Sequence, residues 1–312
     1  KKNDRLIKNN NFSDILKKDF RKNFSLYMLV IPVIAFYAIF AYAPMYGAII
    51  AFKKFSPGLG IMGSKWVGFD NFIRFFKDIY FWRILKNTLL LSTYSIIFGF
   101  PAPIILALAL NEIRWMWFKR TTQTITYMPY FVAMVVIAGM IKNFTNSTGL
   151  VNDIIVFFGG TRKTLLMYSE NFRAIYILSD IWKNAGFSAI IYLAALSSID
   201  VQLYDAAIID GANKFKRMRH VTLPGISTTI IILLILRLGR IFTIGFEKVL
   251  LLYNPAIYET SDIISTYVYR VGLQQFDWSY STAIGFFNSV MNLIVLVSAN
   301  TISRKYSGKS LW

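Results

Sequence analysis

Residues of the usual catalytic types are scarce in this chain. Its 312 residues include no cysteine and a single histidine, His220. A disulfide framework, a thiolate metal site and a cysteine nucleophile are therefore excluded, and one histidine cannot build a histidine-based metal site or triad. We expect no catalytic residue and no bound metal ion in this chain.

Polar side chains inside long apolar stretches are better candidates for a functional role. Asp180 and Asn184 are one helical turn apart, and Asn288 and Asn292 have the same spacing further on. A polar group in apolar surroundings is costly without a partner, so such stripes either face a wet cavity or bond one helix to another. The full candidate set is Asp180, Trp182, Asn184, Phe187, Tyr192, Arg237, Arg240, Asn288 and Asn292.

The composition indicates that these residues lie in a membrane protein. Apolar residues make up 55% of the chain and charged residues 16%, and the net charge is +18. Soluble domains are usually about 45–50% apolar and about 25% charged. A nucleic-acid-binding protein would spread its basic residues over a polar surface, but here they lie between long uncharged runs. We therefore exclude nucleic acid as a partner.

Six stretches are long enough to cross a membrane, which requires about 20 mainly apolar residues. Four contain no charged residue, and two are interrupted by charges. Asp180 and Glu247 are the only acids in these stretches, which argues against a membrane-embedded enzyme. The sequence predicts an all-α integral membrane protein with six transmembrane helices, at 24–52, 87–111, 121–141, 173–199, 224–247 and 278–303.

The distribution of Lys and Arg predicts the orientation. The segments 1–23, 111–124, 200–223 and 304–312 contain 18 Lys and Arg in 70 residues, whereas the three opposite loops contain 11 in 96. Cytoplasmic loops carry the excess of positive charge. We predict a multi-pass protein of a bacterial cell membrane, with cytoplasmic tails at 1–23 and 304–312 and a six-helix transmembrane domain at 24–303 between them.

One outer loop has a helical pattern of its own. Between residues 66 and 83, apolar residues recur at spacings of three and four, which predicts an amphipathic helix. Its apolar face would lie along the membrane surface or pack on the transmembrane bundle. The residues of this face are Phe69, Phe72, Ile73, Phe76, Ile79 and Tyr80.

The loop between the fourth and fifth stretches is the most informative segment. The run Tyr204 to Pro224 combines small residues, a glycine hinge at Gly211 and a basic turn, and Pro224 suits the first turn of the next helix. The segment resembles the EAA loop of importer-type ATP-binding cassette permeases, with Asp205 where that family usually has Glu. The matching segment, 200–224, contains Asp205, Ala206, Ala207, Asp210, Gly211, Ala212, Leu223 and Pro224.

The resemblance extends over most of the chain. The segments Trp66–Phe72 and Phe81–Thr88 are similar to members that import carbohydrates. The segments Phe246–Pro255, Tyr258–Ile263 and Thr266–Gly272 are similar to the branch that imports oligo- and polysaccharides, the lipoprotein/polysaccharide-type permeases. The implied fold is that of a type I importer permease. The implied activity is ATP-driven import of an oligosaccharide or a polysaccharide-derived sugar. A non-sugar solute, such as a peptide, amino acid or anion, is the alternative.

The resemblance also implies partners. In such importers the loop is a coupling helix that docks on an ATPase subunit. The partners would be a second, related permease chain, two ATPase subunits, an extracellular solute-binding protein, the saccharide and membrane lipid. ATP and magnesium would be bound by the ATPases, with no cofactor in this chain.

The stripes of polar residues would then line the translocation pathway, because hydroxyl groups need hydrogen-bond partners and a sugar ring packs on aromatic rings. Interhelical bonding stays open as the alternative for each of them. Arg237 and Arg240 would face an acidic sugar, pair with Glu247 or Asp180, or lie near the partner permease.

Overall fold

The computed structural model describes residues 19–312, so most of the predicted tail at 1–23 lies outside the described part. Strands β1 (Lys53–Lys54) and β2 (Lys65–Trp66) pair antiparallel, and nearly all the rest is helical. The helices are α1 (Phe24–Phe52), α2 (Gly60–Gly63), α3 (Asp70–Lys77), α4 (Phe81–Glu112), α5 (Met116–Phe131), α6 (Met134–Thr145), α7 (Leu150–Phe157), α8 (Ser169–Ser197), α9 (Val201–Ile209), α10 (Lys214–Leu238), α11 (Phe246–Leu252), α12 (Tyr258–Ser261), α13 (Ile264–Tyr269) and α14 (Trp278–Ser307).

The expected six-span, all-α architecture is confirmed. Four continuous helices, α1, α4, α10 and α14, are 25 to 32 residues long and apolar enough to cross a membrane. The fourth span along the chain is α8, which turns by 71° into the short helix α9. The third span is a bent pair, described next.

The third span is not the single helix that its apolar run predicts. The chain bends by 100° between α5 and the α6–α7 segment. Pro129 lies in the last turn of α5, where its missing N–H weakens the helix. The buried ammonium of Lys183 on α8 donates to the carbonyl oxygens of Tyr130 at 3.0 Å and Val132 at 2.7 Å. The break is therefore stable at membrane depth because its free carbonyls are bonded within the protein.

The fifth span along the chain, α10, also ends earlier than predicted. Helix α10 ends at Leu238, and α11 begins after Gly245, whose φ is +53°. A Cβ at Gly245 would lie 1.8 Å from the Tyr176 hydroxyl, so only glycine fits there. The predicted helix at 224–247 is thus two helices joined by a turn, and Arg240 lies in the turn.

Helix α3 is the predicted amphipathic helix, but a different face of it is buried. Phe75, which was not in the predicted face, is fully buried against Phe81 and Phe287, whereas Ile79 lies beyond the helix end and is exposed. The helix therefore packs on the bundle.

The segment between α3 and α4 is fixed by Asp78. Its carboxylate accepts hydrogen bonds from the hydroxyls of Tyr267 at 2.6 Å and Tyr280 at 2.5 Å. Burial by itself would raise the pKa of Asp78, but these bonds hold it below its usual value.

Candidate functional site

Asp180 on α8 is the centre of a charged cluster. Its carboxylate is largely buried and accepts a hydrogen bond from the side-chain amide of Asn184 at 2.9 Å. The ammonium of Lys248 lies 3.7 Å from one carboxylate oxygen, and the guanidinium of Arg237 lies 3.9 Å from the other. One carboxylate is therefore shared by two cations.

Lys248 anchors the cluster from α11. Its side chain is 2% exposed, and its ammonium donates to the carbonyl oxygen of Tyr176 at 2.8 Å and lies 4.5 Å from the centre of the Tyr176 ring. A buried charge is tolerated only with such close partners. The position of Lys248 depends on the turn at Gly245, which brings α11 back against α8.

Arg237 is less tightly held. Its guanidinium donates to the Ser95 hydroxyl, and its side chain is 45% exposed. At 3.9 Å it is too far from Asp180 for a direct hydrogen bond, so it keeps donors free for another acceptor. Within residues 19–312, no carboxylate lies within 4 Å of the Arg240 guanidinium.

Two adjoining cavities open at this cluster. Asp180, Asn184 and Arg237 line both of them. One, of about 220 Å³, also contacts Arg240, and the other, of about 180 Å³, also contacts Tyr192. The structure thus brings together five of the residues expected to line the pathway.

The other four lie elsewhere. Trp182 lines an apolar pocket against α6. Phe187 stacks on Tyr130 with ring centres 3.9 Å apart. Asn292 accepts from the backbone N–H of Phe242 at 3.0 Å and, like Asn288, donates to the Thr243 hydroxyl. The geometry of the two asparagines fits the alternative of interhelical bonding, because they complete the turn that ends α10.

Sequence reasoning missed Lys248 and Ser95. Lys248 directly follows the predicted fifth span, and a charged residue at the end of an apolar run was the signal that could have identified it. Ser95 gave none, because a serine in an apolar helix commonly bonds its own backbone.

The loop after α8 forms a protruding corner. Asp200 caps α9 by accepting from the N–H of Gln202 at 2.9 Å, and Asn213 caps α10 by accepting from that of Lys216 at 2.9 Å. The Tyr204 hydroxyl lies 3.1 Å from that of Thr222 and ties α9 to α10.

Gly211 forms the apex of this corner. Its φ is +71°, and the N–H of Ala212 donates to the carbonyl of Ala207 at 2.9 Å. Nothing lies within 4 Å of a Cβ placed at Gly211, so the surface there is open. Asp205, Ala206 and Asp210 are exposed beside it, and Ala207 and Ala212 are half-buried.

Pro224 does not start a helix as predicted. Helix α10 begins ten residues earlier, and a wide helical turn at Met218–Thr222 precedes the proline. Such a turn accommodates the missing N–H of a proline inside a helix. Pro224 is exposed and Leu223 half-buried.

Comparison with known proteins gives a consistent result along the chain. The family described as "Binding-protein-dependent transport system inner membrane component" matches residues 99–308. The polygalacturonan/rhamnogalacturonan transport system permease protein YteP of Bacillus subtilis (strain 168) is 44% identical, covering 92% of this chain and 90% of YteP. Protein LplB of the same organism is 45% identical, covering 92% and 91%.

Solved structures match over a similar extent. A chain of a bacterial ABC transporter involved in the import of the acidic polysaccharide alginate is 44% identical, with a TM-score of 0.86, covering 93% of this chain and 99% of that one. A chain of a bacterial alginate ABC transporter, in complex with an alginate pentasaccharide-bound periplasmic protein, is 43% identical, with a TM-score of 0.87 and coverages of 94% and 99%.

Proposed function

Because the chain belongs to the binding-protein-dependent transport system inner membrane component family, we propose that it is the permease subunit of an ATP-driven importer for oligosaccharides derived from an acidic polysaccharide. The family and the polysaccharide branch agree with the resemblance of the loop and outer segments. The observation that carries the substrate class is the match over some nine-tenths of the chain to permeases whose names specify polygalacturonan and alginate.

The cluster at Asp180 is compatible with this class. Arg237 and Arg240 face a cavity with Asp180 as the lining carboxylate, so positive charge is in excess there. A uronate could bind to Arg237 through two parallel hydrogen bonds. Asn184 and Tyr192 supply further polar groups for sugar hydroxyls.

The chain supplies half of a pathway and catalyses no covalent step in this proposal. A second permease completes the pathway, a solute-binding protein delivers the sugar, and two ATPase subunits bind ATP and magnesium. Both termini lie in the cytoplasm, on the same side as the loop at 200–224.

The protruding corner couples the permease to an ATPase. Its apex presents Asp205 and Asp210 as hydrogen-bond acceptors, and the small residues Ala206, Ala207 and Ala212 permit close approach. Leu223 and Pro224 link this corner to α10. Exposed apolar side chains surround it, namely Leu203, Ile208, Ile209 and Phe215. ATP-driven closure of the ATPases then shifts the permease pair between inward-facing and outward-facing states.

The test is uptake by the reconstituted importer of trigalacturonate and of its uncharged methyl ester. Replacing Arg237 by Gln should reduce trigalacturonate uptake at least tenfold and change ester uptake little, since only the carboxylates need the guanidinium. Arg304, an exposed arginine near the end of α14, provides the control Arg304→Gln. Equal loss of both substrates in Arg237→Gln would contradict the proposed charge preference, and transport of peptides but no saccharide would contradict the substrate class.

A further inference from the structure

A further cavity, lined mostly by polar and charged residues, lies at the N-terminal ends of α4 and α8, far from the corner at Gly211. It is a cleft of about 370 Å³ beside α12, and none of its lining residues belongs to the set expected from the sequence. Those residues are Trp82, Arg83, Lys86, Asn87, Arg173, Glu259 and Thr260.

The first of its cations shares a carboxylate. Asp262 is fully buried, and its carboxylate lies 2.6 Å from the Arg270 guanidinium and 3.1 Å from that of Arg83. Thr266 donates to the same carboxylate at 3.0 Å. Asp262 therefore balances one of the two arginines, and Arg83 brings uncompensated positive charge to the cleft.

The second cation is bonded to a neutral group. The Arg173 guanidinium donates to the side-chain oxygen of Asn87 at 2.9 Å, and the amide of Asn87 donates to the carbonyls of Glu259 and Asp262 at 2.8 and 3.1 Å. This network fixes the position of Arg173 without neutralising it.

The third cation, Lys86, is exposed. Within residues 19–312, no carboxylate lies within 4 Å of Arg173 or Lys86. The buried Nε atoms of Arg83 and Arg173 also have no acceptor there. Three cations thus meet in one cleft, with Glu259 as the lining carboxylate, and this arrangement has the electrostatics of an anion site.

The cleft continues towards the Asp180 cluster. Arg173 also lines a groove between α4 and α8 that ends at Ile181, and Ile181 lines the cavity of Asp180 and Arg237. The groove is lined mainly by apolar side chains, with Glu170 as its carboxylate. Arg173 and Asp180 are seven residues apart, so they lie on one face of α8 about 10 Å apart along its axis.

We propose that this cleft is the first binding site of the permease for the substrate, where Lys86 and Arg173 receive a sugar carboxylate before it reaches Arg237. Trp82, which is 73% exposed, offers a ring face to the pyranose, and Thr260 offers a hydroxyl. This inference rests on the proposed import of an acidic saccharide and adds a site to it.

The chemistry of the lining favours a sugar over the other anions that could come close. A phospholipid headgroup needs positive charge but neither an aromatic ring face nor an added hydroxyl, whereas Trp82 and Thr260 line this cleft beside its cations. An acidic surface of the solute-binding protein would contact Lys86 without needing a cavity that reaches Arg173.

The test is equilibrium binding of trigalacturonate to the complete importer complex in phosphatidylcholine nanodiscs, without binding protein. Lys86→Gln should weaken binding about fivefold, and Lys86→Gln with Arg173→Gln should weaken it further, because each cation contributes a charge-assisted bond. The matched control is Lys77→Gln, an exposed lysine at the end of α3 outside the cleft. Binding of the methyl ester should not change in Lys86→Gln.

Three outcomes would overturn the site. An equal effect of Lys77→Gln would indicate general surface charge, and a loss seen only with anionic lipid in the nanodisc would indicate a headgroup site. Unchanged nanodisc binding, with a higher binding-protein concentration needed for uptake, would indicate protein docking. None of these three results would contradict the proposed import of a saccharide. A wild-type complex that neither binds nor imports a saccharide would contradict the proposed function itself.

Discussion

At the scale of single residues, Asp180, Arg237 and Lys248 bring charges from three helices together. Asp180 and Arg237 stand out because an ion in an apolar run is costly. Asp180 also contacts Lys248, and this contact depends on the turn at Gly245, which no local sequence pattern predicts. Trp182 shares α8 with Asp180 but contacts α6, since residues two positions apart in a helix point in different directions. Phe187, seven residues from Asp180, is held instead by stacking on Tyr130.

Lys183 gives a prediction at this scale. Replacing it by Met keeps the length of the side chain but removes the donor for the carbonyls at the α5–α6 break, at a cost of about 1–3 kcal/mol for a buried acceptor left without a partner. Lys183→Met should therefore lower the thermal midpoint of the detergent-solubilised complex by several degrees. Lys142→Met, an exposed lysine at the end of α6, is the control. Equal midpoints for the two variants would show that Lys183 does not support the break.

At the scale of elements, the apolar runs predicted the number of spans but not their breaks. Hydropathy averages over the turn at Pro129, where the residues remain apolar, and over the end of α10, where apolar neighbours outweigh Arg237 and Arg240. What ends these helices is a tertiary contact, from Lys183 in the first case and Asn292 in the second. The crossing of α8 over α5 likewise requires Gly186, since a Cβ there would lie 1.9 Å from the Thr126 carbonyl oxygen.

The corner at Gly211 gives the prediction for an element. Proline cannot adopt the φ of +71° found there, so Gly211→Pro should deform the corner while leaving the spans in place. We expect substrate-stimulated ATP hydrolysis by the reconstituted complex to be lost, with normal membrane insertion. Gly58→Pro, in the loop between β1 and β2, tests for a general effect of proline at an exposed glycine. Wild-type stimulation in Gly211→Pro would contradict a coupling role.

At the scale of the whole molecule, the membrane spans do not contribute equally to the buried apolar core. None of the residues from Phe24 to Ile50 of α1 is buried within this chain, and the last turns of α1 contact α14. The three apolar clusters of buried residues are built from the elements between α3 and α14. Composition predicted that α1 crosses the membrane but not that it stands apart, because a lipid-facing and a protein-facing apolar helix have the same hydropathy.

The excess of positive charge around Asp180 should also make the protein sensitive to the membrane potential. Arg237, Arg240 and Lys248 outnumber the one carboxylate they face, and one elementary charge moved across the whole membrane changes the energy by about 2.3 kcal/mol per 100 mV. A movement of α8 and α10 along the membrane normal would therefore carry these charges through the membrane potential and do electrical work. A bound polyanion would cancel the net charge that moves. The uncharged methyl ester carries no charge of its own across the membrane, so its uptake into proteoliposomes tests the charges of the protein alone and should respond to an imposed potassium diffusion potential. Ester uptake that is independent of the potential would mean that these charges stay at one depth throughout the cycle.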